Sequence, residues 1–115
     1  MKNFKYILFI GILMTLQSCI ESGEIQIQNN ISQVKILDVK WGDHLLSSEL
    51  LPGETSEQLT IKNSVEKLPS SQKVSFKMTA NNKTIYLETQ GTYLLDEDDD
   101  LLIILTDQTI VQNPN

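Results

Sequence analysis

Apolar and polar residues alternate with a period of two through most of the chain after residue 23. In the segment 73–79, for example, Val74, Phe76 and Met78 share one face and Lys73, Ser75 and Lys77 the other. This period is typical of half-buried strands, and no stretch shows a convincing helical period. Turn-forming residues separate the predicted strands, which cover 24–28, 33–41, 55–62, 73–79, 84–89, 92–95, 101–105 and 109–111. The pattern predicts an all-β fold, a small antiparallel immunoglobulin-like β-sandwich of seven or eight strands.

Two of these segments depart from plain alternation. The apolar residues change face between Ile36 and Leu37, which indicates either a β-bulge or burial of both faces of that strand. The segment 101–105 holds five consecutive apolar residues. Because a strand buried on both faces reads as a continuous apolar run, this segment predicts a central, fully covered strand.

Short turn signals lie between the strands. Asn29-Asn30 is expected to end the first strand. Asn81-Asn82 is expected to form a hairpin turn, because Asn tolerates the left-handed backbone conformation. Pro52-Gly53 predicts a type II turn, with Pro at the second position and Gly at the third.

The first 18 residues carry the features of an export signal. Lys2 and Lys5 precede an apolar run over 6–16. As a helix, eleven residues would rise about 16 Å, roughly half of a bilayer core. This length is typical of a signal-peptide h-region rather than of a membrane span. The run ends in Leu16-Gln17-Ser18-Cys19, and this ending resembles the lipobox of bacterial lipoproteins.

The lipobox resemblance implies that Cys19 is the lipidation site, with cleavage between Ser18 and Cys19. Two or more acyl chains of the palmitate kind would make attachment to a membrane durable. Ile20 is not the Asp that retains some lipoproteins in the inner membrane, so the resemblance implies the cell envelope and its outer membrane. The resulting organisation is a signal peptide over 1–18, a lipidated tether over 19–23 and one β-sandwich domain over 24–115. The alternatives are an ordinary signal peptide with an incidental Cys and a cytosolic protein with an apolar N-terminal helix.

The tether itself offers a further, shorter resemblance. The residues Ile-Glu-Ser-Gly-Glu that follow Cys19 are similar to the acidic surface-export signal of some Bacteroidota lipoproteins. A solvated linker is the alternative interpretation. Cys19 is also the only Cys in the chain, so the domain has no disulfide and must be held by packing.

Charge restricts the classes of partner. Without the first 18 residues the chain has seven Lys against 15 Asp and Glu, a net charge of about −8, and it has no Arg. Nucleic acids and anionic phospholipids are bound through Lys and Arg. We therefore expect no nucleic-acid partner. The lipobox resemblance implies a membrane contact through the lipid anchor and an envelope protein as a partner of the domain.

A second resemblance covers about a third of the chain, from residue 25 to residue 61. The runs Trp41-Gly42-Asp43-His44-Leu45-Leu46 and Leu50-Leu51-Pro52-Gly53-Glu54 are similar to small exported bacterial β-sandwich domains. The resemblance implies the fold and no activity, and His44 stands where such domains often have Asn. Trp41 is predicted to fill the core, and Leu45 and Leu46 to plug one end of the sandwich. A ligand-binding role for Trp41 and His44 is the alternative.

The acidic run Asp96-Glu97-Asp98-Asp99-Asp100 is the sharpest chemical feature. Carboxylates are the oxygen ligands that Ca²⁺ prefers, so Asp96, Asp98 and Asp100 are candidate calcium ligands. The run lacks the Gly and Glu spacing of an EF-hand loop, and a solvated acidic loop is the alternative.

Catalytic groups are sparse. His44 is the only His, with Asp43 beside it and Ser47 and Ser48 nearby. Residues adjacent in sequence seldom converge in space as a catalytic triad requires. His44 is the only His and Cys19 the only Cys of the chain, which excludes a zinc site of the usual kind. We expect no enzyme and no cofactor. The sequence favours a membrane-anchored, non-catalytic binding or structural module of the cell envelope, with a calcium-binding β domain as the alternative.

Overall fold

The computed structural model describes residues 21–114, which form ten strands and no helix. The predicted signal peptide and the predicted lipidation site Cys19 lie outside the described residues. The strands are β1 (Ser22–Asn30), β2 (Ile36–Trp41), β3 (His44–Leu50), β4 (Leu59–Lys62), β5 (Ser70–Gln72), β6 (Val74–Ala80), β7 (Lys83–Thr89), β8 (Tyr93–Leu95), β9 (Asp100–Thr106) and β10 (Val111–Gln112). The all-β prediction is confirmed, with ten strands in place of seven or eight.

Three sheets form a sandwich around one core. The strand orders are β4-β1-β9, β10-β7-β6-β2-β3 and β5-β8. Buried side chains from all three sheets join one cluster, which includes Ile27 of β1, Phe76 of β6 and Leu95 of β8. Neighbouring strands are antiparallel except β1 and β9, which run parallel from Glu24 beside Asp100 to Asn30 beside Thr106. The sequence predicts a purely antiparallel sandwich, and the parallel pairing of β1 with β9 departs from that prediction.

The first strand follows its predicted pattern and continues beyond it. Along β1 every second residue is buried, from Gly23 to Asn29. β1 ends at Asn30, as the pair Asn29-Asn30 predicted, and Asn29 is still a buried strand residue because its side chain finds partners inside the sandwich. Its Nδ2 donates to the carbonyl oxygens of Val34 (2.8 Å) and Leu50 (3.0 Å), and its Oδ1 accepts from the N–H of Ile31 (3.0 Å). A fully buried amide thereby joins β1 to the segment before β2 and to the end of β3. β1 also begins at Ser22, inside the segment predicted as tether.

The change of face in β2 is a β-bulge, as the sequence allowed. The register of β2 against β3 shifts between Val39 and Lys40, and Asp38 has a φ of 48°. The bulge turns Ile36, Val39 and Trp41 towards the core, and all three are fully buried.

The strand predicted to be central is an edge strand. β9 has β1 as its one hydrogen-bonded neighbour among the described strands. Ile103 and Leu105 are buried, whereas Leu102 and Ile104 are 47% and 45% exposed. The prediction of a central strand that is covered on both faces is therefore wrong. An apolar run determines the side chains of a strand, but it does not determine how many strands pair with it or whether both of its faces are buried.

The predicted turns are confirmed. Asn81 and Asn82 have φ of 53° and 62° and join β6 to β7, as a type I′ hairpin turn requires. Gly53 has a φ of 86°, and the N–H of Glu54 donates to the carbonyl oxygen of Leu51 at 2.9 Å, in agreement with a type II turn.

The segment predicted to plug the sandwich is a strand instead. Residues 44–50 form β3, which pairs with β2 at the edge of the five-stranded sheet. Leu46 packs against the core, but Leu45 is 51% exposed. The predicted plug is therefore wrong for Leu45, since neighbouring residues of a strand point to opposite faces.

Candidate functional site

His44, at the start of β3, belongs to a polar cluster at one end of the sandwich. Its Nε2 lies 2.7 Å from Oε1 of Glu66, in the loop between β4 and β5. The imidazole stacks on the indole of Trp41, with ring centroids 5.8 Å apart and planes inclined by 25°. The side chains of His44 and Glu66 are 19% and 23% exposed, so the pair is largely shielded from water.

Glu66 is the acceptor that holds this cluster together. Its Oε2 accepts from the hydroxyl of Ser70 and from Nε2 of Gln72 (3.3 Å), and the same amide donates to Oγ of Ser70 (2.9 Å). Partial burial pushes the pKa of Glu66 up. The hydrogen bonds from Ser70, His44 and Gln72 and the charge of His44 outweigh that effect and hold the pKa below its ordinary value.

This order of groups is unsuited to nucleophilic catalysis. In a Ser–His–Asp site the imidazole lies between the hydroxyl and the carboxylate, so that it can take the hydroxyl proton. Here the carboxylate of Glu66 lies in the middle, and Ser70 donates to Glu66. Of the hydroxyls next to His44 in sequence, Ser47 donates to the carbonyl oxygen of Glu49 at 2.7 Å. The arrangement fixes the imidazole and the β4–β5 loop and activates no described hydroxyl through His44.

Trp41 is fully buried, and its Nε1 donates to the carbonyl oxygen of Tyr93 at 3.0 Å. The prediction that Trp41 fills the core is confirmed. A binding role for Trp41 and His44 stays a prediction, and of the two side chains only His44 reaches the surface.

The loop 96–99 is a turn docked onto the start of β1. The N–H of Asp99 donates to the carbonyl oxygen of Asp96 (3.2 Å), and Asp98 has a φ of 62°. The N–H of Asp98 donates to the carbonyl oxygen of Ser22 at 2.8 Å. The acidic run therefore lies at the end of the sandwich where the described chain begins.

Two of the three candidate calcium ligands, Asp96 and Asp100, accept hydrogen bonds from groups of the domain itself. Oδ1 of Asp96 accepts from the N–H of Glu97 (2.7 Å), and Oδ1 of Asp100 accepts from Nε2 of Gln58 (2.6 Å). A hydrogen bond with Glu21, partial burial and the charges of neighbouring acids raise the pKa of Glu97. Among residues 21–114, no three His, Cys, Asp or Glu side chains are arranged to hold a metal ion. Calcium binding by Asp96, Asp98 and Asp100 stays a prediction, and none of the contacts of the described residues favours it.

Sequence reasoning missed Glu66, Ser70 and Gln72. Glu66 is 22 residues from His44, in a segment with no clear period, and no motif marks the pair. The pairing of β5 with β8 sets Ser70 beside Leu95 and Gln72 beside Tyr93, whose carbonyl oxygen accepts from Nε1 of Trp41. These are long-range contacts that no local sequence pattern marks.

Comparison with known proteins identifies no family. No family model, no curated protein and no solved structure matches the chain significantly. Over the residues that the structure describes, no helix has the length and apolar character needed to cross a membrane. Any functional conclusion therefore rests on the chain's own residues.

Proposed function

We propose that this chain is a lipoprotein of the bacterial cell envelope, in which Cys19 anchors a non-catalytic β-sandwich that acts as a binding or structural module. The observation that carries the proposal is the order of the N-terminal segments. The chain begins with two Lys, continues with an apolar run of signal-peptide length and then reads Leu16-Gln17-Ser18-Cys19. The only Cys of the chain stands at the lipobox position.

The geometry near the predicted anchor supports attachment through lipid rather than through charge. β1 begins three residues after Cys19, so the sandwich would lie close to the membrane. The end nearest the anchor carries Glu21 and the acidic loop 96–99. Because these carboxylates repel anionic lipid headgroups, the surface charge of the domain gives it no affinity for a membrane. The acyl chains on Cys19 would supply that affinity.

The His44 cluster supports the non-catalytic part of the proposal. The carboxylate of Glu66 accepts from three side chains of the same domain, and the hydroxyl of Ser70 is one of these donors. The cluster stabilises the loop between β4 and β5. Within this cluster, the acid Glu66 and the base His44 are bound to each other, so neither is left free to exchange a proton with a substrate.

Membrane fractionation combined with crosslinking tests the proposal. Native cells that produce the full-length protein are crosslinked, the outer membrane is isolated, and the covalent adducts are identified by mass spectrometry. We expect the protein in that fraction with a recurring envelope protein partner, and we expect both to be lost for Cys19→Ala. Ser64→Ala, in an exposed loop, is the matched control and should keep both. Unchanged fractionation of Cys19→Ala, or repeated recovery without a partner, would contradict the proposal.

A further inference from the structure

The free edge of β9 is the longest unprotected strand edge of the described domain. β9 runs parallel to β1, and the N–H of Glu24 donates to the carbonyl oxygen of Asp99 at 2.8 Å. In a parallel ladder every second residue directs its N–H and C=O groups at the neighbouring strand, so Leu101, Ile103 and Leu105 direct theirs at β1. The N–H and C=O groups of Leu102 and Ile104 therefore point away from β1. The N–H of Thr106 points the same way and is taken by Oγ1 of Thr109 at 2.9 Å, which closes the edge at that end.

The other outer strands carry features that discourage pairing. β10 has two residues, β5 and β8 have three each, and β4 has four and ends at Lys62. β10 pairs with only two residues of β7, and the uncovered part of β7 begins at Lys83. β3 is as long as β9, but its partner β2 has a bulge, and its middle is the polar run Ser47-Ser48-Glu49. Short length, Lys and bulges are common protections of strand edges. β9 has none of them, and its exposed side chains Leu102 and Ile104 lie on one face of the sheet.

Carboxylates stand at both ends of this edge. Asp98 and Asp99 precede β9, Asp100 is its first residue and Asp107 follows it. None of the four forms an ion pair within residues 21–114. Asp107 accepts from the hydroxyl (2.6 Å) and the N–H (2.7 Å) of Ser32, and these bonds lower its pKa, so the carboxylate is charged at neutral pH. A second copy of β9 would bring carboxylates next to carboxylates, which disfavours self-pairing.

We propose that the free edge of β9 binds an extended segment of an envelope protein, with alternating apolar residues between Lys or Arg residues about seven positions apart. β9 itself covers seven residues, from Asp100 to Thr106, and an extended chain of that length spans about 23 Å; Asp107 directly follows its last residue. Backbone bonds to Leu102 and Ile104 supply affinity, their side chains select apolar neighbours, and the terminal carboxylates select cations. This proposal rests on the proposed function, because it names the partner of the anchored module.

A synthetic peptide tests the edge directly. The probe is a blocked octapeptide with lysine at both ends and alternating valine and threonine between them, and its control has glutamate at both ends. Fluorescence anisotropy is measured with the full-length protein in nonionic detergent micelles. We expect saturable binding of the lysine peptide and at least about tenfold weaker binding of the glutamate peptide, a difference of roughly 1.4 kcal/mol.

Matched variants distinguish the β9 edge from other surfaces. The double variant Leu102→Thr and Ile104→Thr removes the exposed apolar side chains, and Asp100→Asn with Asp107→Asn removes the terminal charges. Each should weaken lysine-peptide binding about tenfold, whereas Leu45→Thr on the exposed face of β3 should leave it unchanged. Unfolding temperatures within a few degrees of the unmodified protein confirm that the variants fold.

Amide hydrogen exchange locates the bound peptide. We expect slower exchange at Leu102 and Ile104 when the lysine peptide is added, and no change at Ile103 and Leu105, whose N–H groups face β1. Equal binding of both peptides, protection elsewhere, or no protection at millimolar peptide would overturn the proposal. A concentration-dependent dimer that protects the same amides without peptide would also overturn it. None of these outcomes alters the acylation of Cys19 or its fractionation, so failure here is distinct from failure of the proposed function.

Discussion

Nε2 of His44 lies 2.7 Å from Oε1 of Glu66, and this contact joins the first residue of β3 to a loop 22 residues further along the chain. The carboxylate also accepts from Ser70 and Gln72, so three side chains from two strands, β3 and β5, share one partly buried acceptor. The contact gives the domain a titratable link between its five-stranded sheet and its smallest sheet.

The Glu66 cluster predicts a loss of stability in acid. Since the folded-state pKa of Glu66 is lowered, its carboxylate contributes stability above the pKa of Glu in the unfolded chain. That contribution disappears as the pH falls through the folded-state pKa. Urea unfolding at several pH values should therefore show a smaller acid-side loss for Glu66→Gln than for the unmodified protein.

At neutral pH the same Glu66→Gln variant should be less stable by about 1–2 kcal/mol, because hydrogen bonds to a charged acceptor are lost. Glu57→Gln, at an exposed site, is the matched control and should change neither the neutral stability nor its dependence on pH. Equal acid profiles for Glu66→Gln and the unmodified protein would show that the cluster does not contribute.

The buried amide of Asn29 predicts a large mutational effect. Asn29→Ala removes the amide that donates to the half-buried carbonyl oxygen of Val34 and the buried one of Leu50, which should destabilise the fold by about 2–4 kcal/mol. Thermal and urea unfolding measure the change. Asn30→Ala, at the exposed neighbouring position, should stay within about 0.5 kcal/mol. Similar values for the two variants would contradict the role assigned to the buried amide.

The close approach of Gly23 to the acidic loop predicts intolerance of any side chain there. A Cβ at this position would lie 2.6 Å from the carbonyl oxygen of Asp96 and 2.9 Å from the side chain of Leu95. Gly23→Ala should therefore cost about 1–3 kcal/mol in the free energy of unfolding and displace the loop 96–99. Gly91→Ala meets nothing within 4 Å and serves as the control. A Gly23→Ala protein as stable as Gly91→Ala would refute the packing described for this end.

Calcium is predicted to leave the domain unchanged. A ligand that binds only the folded state raises the unfolding temperature by mass action, and the effect grows as its concentration exceeds Kd. Because no three described carboxylates converge on one point, we expect no shift with about 1 mM CaCl₂ beyond the shift with matched MgCl₂. A selective upward shift that Asp98→Asn abolishes would instead support the calcium-binding alternative.

Local sequence signals predicted the local parts of the fold. Alternation placed Val74 and Phe76 on one face of a strand, which is the buried face, and Asn81-Asn82 placed a hairpin. Both signals depend on residues close in sequence. The bulge in β2 was likewise visible as a change of apolar face near Leu37.

The long-range parts could not be predicted in the same way. The parallel pairing of β1 with β9 joins residues that are 76 positions apart, as Glu24 and Asp100 show, and no local pattern encodes that choice. For the same reason the apolar run 101–105 was assigned a central position, although one side of β9 has no strand beside it. The His44 cluster also depends on such pairings, since β5 carries Ser70 and Gln72 to Glu66.

Intact mass spectrometry of the protein from native membranes, with Cys19→Ala measured beside it, tests whether Cys19 is the lipid anchor. We expect a mature mass that begins at Cys19 and carries acyl chains, and the loss of both the cleavage and the added mass in the variant. An unprocessed chain, or a mature chain without acyl groups, would contradict the lipoprotein assignment and with it the proposed place of the domain in the envelope.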